Sequence, residues 1–143
     1  MAAFNKFNDF PEDLNHGVHD FSSDQLKIAL CAAANAPSAS ADSILSDLTQ
    51  ITYTNIVTTP ASYALTTSSS AQTSGTYKMV LADITIEASG GAANPFRYIV
   101  IYNDDSASDS LICWYDYGSD LTLSSGETLL VDFHATNGFF TLA

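Results

Sequence analysis

Basic side chains are nearly absent from this sequence. Lys6, Lys27, Lys78 and Arg97 stand against sixteen Asp and Glu, for a net charge of −12. Binding a phosphate backbone needs clustered Lys and Arg, so the balance argues against nucleic acid as a partner, and equally against anionic membranes. The acids are scattered, never more than two in a row. Such a surplus keeps a protein soluble and identifies no partner by itself. Long apolar runs are missing too. None approaches the ~20 residues of a membrane span. The opening "MAAFNKFNDFPEDLNHG" has no basic start and no apolar h-region, so no secretory signal is expected. Only two cysteines occur, Cys31 and Cys113, both inside apolar runs. They read as free buried thiols, with a bridge between them left open.

Recognisable chemistry is equally scarce. There is no G-x-S-x-G elbow, no phosphate loop and no G-x-G-x-x-G. His16 and His19 form an H-x-x-H pair without a third ligand nearby, and Gly17 weakens any helix that would align them. Asp104, Asp105 and Asp109 cluster in "NDDSASD" without the spacing or closing glutamate of a calcium loop, and read as a solvated turn. No pair of carboxylates stands in a context that singles it out for glycoside hydrolysis. No catalytic residue, metal site or cofactor is therefore expected, and the chain does not read as an enzyme.

What the sequence does contain is a dense apolar and aromatic stretch, "FRYIVIYNDDSASDSLICWYDYG", Phe96 to Gly118. Strict alternation puts Phe96, Tyr98, Val100 and Tyr102 opposite Ile99 and Ile101. It likewise puts Leu111, Cys113, Tyr115 and Tyr117 opposite Ile112 and Trp114. A half-buried strand alternates apolar with polar residues. Here both faces are apolar, so something must cover the second one. A sister subunit or another molecule is one candidate; the N-terminal segment and the Ser/Thr-rich segment of the same chain are the other.

Around this stretch the pattern is all-β. "SDQLKIALC" reads as a first strand, with an amphipathic helix as the alternative, and "TYKMVLADITIEAS" carries apolar residues on both faces. "ILSDLTQITYTNI" reads as a helical turn followed by a strand near Ile51–Ile56. Val57 to Gly75 is Ser/Thr-rich and reads as a surface excursion with edge-strand pieces. Asn137-Gly138, between "LLVDFH" and "FFTL", signals a two-residue hairpin. Short strands about a dozen residues apart, with Gly, Asp, Asn and Ser turns between them, describe an antiparallel β-sandwich or jelly roll. Phe4, Phe7 and Phe10 recur every third residue in a polar segment broken by Pro11. Residues 1–20 are thus expected to form an extended arm, and residues 21–143 a single sandwich domain. The arm's phenylalanines either order against a partner or cap this chain's own sandwich.

Three stretches carry a resemblance: the opening "MAAFNKFNDF" with "LNHGVHDFSSDQLKIALC" and "ILSDLTQI"; "SSSAQTSGTYKMVLADITIEASGG"; and "FRYIVIYNDDSASDSLICWYDYGSDLTLSSGETLLVDF" with "ATNGFFTL". Together the chain resembles small tailed-phage and prophage structural proteins encoded near the major capsid protein. The resemblance implies a capsid cement (decoration) protein, made in the host bacterial cytoplasm and carried on the capsid surface of the virion. Its implied partners are the major capsid protein and itself, as a homo-oligomer, a trimer before a dimer. Phe4, Phe7, Phe10, Trp114, Tyr115 and Tyr117 are the expected interface to capsid or subunit. The alternative is a tail- or fibre-associated β-module that binds a receptor or carbohydrate through Trp114 and the tyrosines.

Overall fold

The computed structural model describes residues 2–143. Among them, ten strands form three antiparallel sheets. The largest holds β1 (Asn5–Lys6), β8 (Leu111–Leu121), β7 (Phe96–Asn103) and β2 (Leu26–Cys31), in that order. A second sheet orders β10 (Phe140–Leu142), β5 (Thr76–Leu81) and β4 (Thr67–Thr73). The third orders β3 (Ile56–Thr59), β6 (Ile84–Ala88) and β9 (Thr128–Val131). A short helix, α1 (Phe10–Asn15), opens with Pro11 in its first turn, where a missing N–H costs nothing.

The sheets share one large apolar cluster. Leu26, Ile28 and Leu30 of β2 meet Ile99 and Ile101 of β7, Met79 and Leu81 of β5, and Ile84 and Ile86 of β6. Each side chain buried here stabilises by about 1.5–3 kcal/mol. A second cluster lies on the opposite face of the four-stranded sheet. It joins Ala29, Cys31, Tyr98, Val100, Tyr102 and Leu111 to Phe7, with Leu45, Leu48 and Trp114 packed around them. The two-sided apolar runs are thus covered by their own chain: Val100 and Leu111 are fully buried without any partner. The cover is Phe7 and the segment around Leu45–Leu48, held by Asn8 N–H to Ala39 O (2.9 Å) and Leu111 N–H to Ser43 O (2.9 Å). The Ser/Thr-rich segment does not take part; it supplies β3 and β4, each at the edge of a three-stranded sheet.

Strict alternation fails at two places in this sheet. The β7–β8 register shifts between Phe96 and Tyr98 and again between Ile101 and Tyr102. Phe96 therefore joins the main core with Ile99 and Ile101, and Leu111 joins Trp114 on the outer face. Leu111 is turned by the single extra residue that β8 carries opposite the Ile101–Tyr102 step, since one inserted residue turns the rest of its strand to the opposite face. The same geometry settles the cysteines. Cys31 lies in the outer cluster and Cys113 in the inner one, and both are free. Burial pushes the Cys31 thiol up to about 11, and raises Cys113 well above its ordinary value, so neither is a thiolate near neutrality.

The N-terminal segment is part of the fold, which corrects the expected arm. Asn5 and Lys6 pair with Trp114 and Cys113, and Phe7 N–H bonds Ile112 O at 3.2 Å. Phe7 packs tilted against Trp114, ring centroids 4.7 Å apart, while Phe10 packs among His19, Phe21 and Phe140. Spacing of three fits neither one strand nor one helix here, because strand β1 turns into α1 between Phe7 and Phe10.

His16 and His19 part company as well. His16 stays at the surface, 3.7 Å from Glu12, whereas the His19 side chain is fully buried. Asn103 Nδ2 lies 3.1 Å from His19 Nδ1, which as acceptor leaves the proton on Nε2. Nε2 has no hydrogen-bond partner among the described residues, and Asp13 Oδ2 is 4.0 Å away. Burial holds His19 below its ordinary 6.5, against the attraction of Asp13 and Asp24. Burial likewise raises Asp13, so at both partners desolvation outweighs their mutual attraction. The folded state thus resists a proton that the unfolded chain accepts. Stability is expected to be intact above about pH 6.5 and to fall below it, by at most ~1.4 kcal/mol per pH unit. Urea unfolding at pH 7.5 and ~5.5 checks this. His19→Phe should flatten the slope, and an unchanged slope in that variant would assign the pH dependence elsewhere.

Candidate functional site

One cleft of about 480 Å3 opens between the far end of β8 and the β9 edge. Tyr115 and Tyr117 of β8 form one wall, and Leu129, Leu130 and Val131 of β9 the other. Phe133, His134, Asn137, Gly138 and Phe139 close the end, and Phe4 leans in from the N-terminal segment. The large apolar side chains that stay exposed are Phe4, Val57, Tyr117, Leu130 and Leu142. Three of these five line this cleft, with Phe4 37%, Tyr117 53% and Leu130 59% exposed. Scattered exposed apolar residues need no explanation, whereas convergence on one concave surface makes it a candidate binding site.

Local structure explains the convergence. Beyond Trp114, β8 runs on past the end of β1, so its Tyr115–Leu121 part has no strand on that side. Phe4 fills the start of this gap, edge-on to Tyr115 at 6.2 Å and to Phe139 at 5.6 Å. Past Val131 the chain is pinned by Phe133 N–H to Asp83 Oδ1 (3.0 Å) and His134 N–H to Asp132 Oδ1 (2.7 Å). His134 sits at φ 50, and its carbonyl accepts Asn137 N–H (3.1 Å) and Gly138 N–H (3.0 Å). The turn then docks on β5 through Phe139 N–H to Met79 O at 2.7 Å. No Asn137-Gly138 hairpin exists: β9 pairs with β6 and β10 with β5.

The cleft's polar groups are engaged in holding this frame. His134 Nδ1 accepts Asn137 N–H at 3.3 Å, and Asp132 serves the His134 backbone. Burial keeps the Tyr115 hydroxyl protonated, well above its ordinary range. Nearby, Arg97 makes a two-pronged contact with Asp116 at 2.7 and 2.8 Å, which holds that carboxyl below its usual range. The surface is suited to stacking and apolar contact.

Of the residues expected at an interface, Phe4, Tyr115 and Tyr117 meet in this cleft. Phe7 and Phe10 are 0% and 4% exposed and leave no surface for a partner. Trp114 points to the opposite face of the sheet, against Phe7. Leu130, Phe133 and His134 were not expected there. The acidic loop is likewise occupied from within: Asp104 pairs with Lys27 at 2.7 Å, and Asp105 Oδ2 accepts Gln25 N–H at 2.8 Å. Among the described residues, no three His, Cys, Asp or Glu side chains are grouped to hold a metal, and no helix is long and apolar enough to cross a membrane. Compared with protein-family models, curated proteins and solved structures, the chain matches none.

Proposed function

We propose that this protein is a capsid cement protein of a tailed phage, attached to the outer surface of the major capsid lattice. The cleft walled by Tyr115, Tyr117 and Leu130 is its docking surface, and the sheets around one core form a jelly-roll-like sandwich. The observation that carries the reading is the convergence of exposed apolar side chains on one concavity of an otherwise strongly acidic chain. A protein at −12 has no general stickiness, so a few apolar anchors must supply attachment. The resemblance to phage proteins encoded beside the capsid gene supports the same partner.

Binding to purified undecorated capsids tests the reading. Phe4→Ser with Tyr117→Ser removes two anchors whose exposed parts, 37% and 53% of each side chain, are what binding can still bury, so affinity should drop at least about tenfold. Melting should move by only a few degrees, because both side chains are exposed. Wild-type protein that ignores such capsids, or a handful of copies per virion in place of hundreds, would move it to the tail or fibre. That second reading has one observation in its favour: the exposed ring of Tyr117 and the Asp132 carboxylate line the same cleft, an aromatic and a polar group of the kinds that a sugar uses.

A further inference from the structure

We infer that the cleft takes an extended, apolar and basic segment of another polypeptide, which joins β9 as an added strand. The inference deepens the proposed function and rests on it. β9 ends its sheet, with β6 on one side only. Ala88 N–H bonds Glu127 O at 3.0 Å, which fixes the parity of the ladder. Ile86 with Leu129 and Ile84 with Val131 are then the hydrogen-bonded pairs of the register. Thr128 and Leu130 must turn their N–H and C=O groups away from β6, and among the described residues no backbone group meets them.

Two other edges of the molecule, β2 and β4, are treated differently. The outer edge of β2 is closed by Tyr53 Oη on Leu30 N–H (2.9 Å), Ile51 N–H on Leu30 O (2.9 Å) and Leu65 N–H on Leu26 O (2.8 Å). β4 is an edge too, but its sequence is TSSSAQT and almost wholly exposed. β9 combines an open edge with an apolar floor. Main-chain pairing supplies affinity in strand addition, and pockets for alternate side chains supply specificity. Here Tyr117 and Phe133 form such a pocket beside Leu130.

Charge selects the partner. Of the four cations, Lys27 and Arg97 are paired with Asp104 and Asp116, and Lys78 donates to Thr136 O. The one carboxylate lining the cleft is Asp132. A basic flank on the incoming segment complements it, whereas a second copy of this chain would bring its own −12.

The test uses a capped octapeptide of alternating valine and lysine, and its valine–glutamate counterpart, with the full-length protein. Amide exchange by NMR should show Thr128 and Leu130 slowed at least about tenfold by the lysine peptide. The glutamate peptide should bind at least about tenfold more weakly. Leu130→Lys, at an exposed position, should fold normally and lose roughly tenfold in affinity. Unslowed amides at millimolar peptide overturn the inference, as does equal binding of the two peptides. A dimer that Leu130→Lys dissolves would make a second copy the occupant and overturn it too. If the peptide binds and undecorated capsids do not, strand addition stands and the cement reading falls. If capsids take wild type and Leu130→Lys alike, the cement reading stands and this inference falls.

Discussion

A variant lacking residues 2–10 is expected to fail to fold, and Phe7→Ala alone to cost about 3–5 kcal/mol. Phe7 is fully buried between Trp114 and the outer face of the four-stranded sheet. Its neighbours Ala29, Val100 and Leu111 sit on paired strands and have little freedom to collapse into the space it leaves. The deletion also strips β1 from β8 and removes Phe10, which is 4% exposed. Since a domain is stable by only about 5–15 kcal/mol, these losses together exceed what the rest can carry. Phe4→Ala serves as the control. It is 37% exposed, so its loss should stay near 1 kcal/mol or below. Thermal and urea unfolding measure all three. A Phe7→Ala protein that unfolds like the parent would mean that the segment is a detachable arm after all.

The sequence made the strands legible and left their partners hidden. Dense apolar runs with β-branched and aromatic residues marked β2, β5, β6, β7 and β8, because strand propensity and burial point the same way there. For Phe4, Phe7 and Phe10 two readings stand open in the sequence, a partner surface or this chain's own sandwich, since a polar segment broken by Pro11 has no local reason to be core. Their burial is tertiary: it depends on Trp114, Phe21 and Phe140, which lie far along the chain. The register shifts at Phe96 and Leu111 carry no sequence mark, and each inverted the expected faces. At the cleft, Tyr115, Tyr117 and Phe4 were visible as aromatics. Leu130 was not, because "LLVDFH" reads as an ordinary strand and says nothing about an edge left open.

The turns make the sharper comparison, because one of them yields a large effect. Ser74-Gly75 joins β4 to β5 as a two-residue loop, both positions at positive φ (52 and 86), which is the geometry of a type I′ hairpin. Asn137-Gly138 has the stronger hairpin sequence and forms none. Gly138 sits at φ +81 against β5, where a Cβ would lie 2.7 Å from Met79 O and 2.8 Å from Lys78 Cγ. At Gly75, φ +86, a Cβ would meet nothing within 4 Å. Valine at either site bears the left-handed strain of about 1–2 kcal/mol. Only at Gly138 is there also a backbone contact to relieve, for about 1–3 kcal/mol more. Relief means lifting the turn, which pulls Phe139 N–H from Met79 O and moves the end wall of the cleft. With about 3 °C per kcal/mol for a chain of this size, Gly138→Val should lower the melting temperature by about 10 °C. Gly75→Val should lower it by about half as much. Equal drops in the two variants would mean that Gly138 faces solvent as Gly75 does, and that the 134–139 turn does not rest on β5.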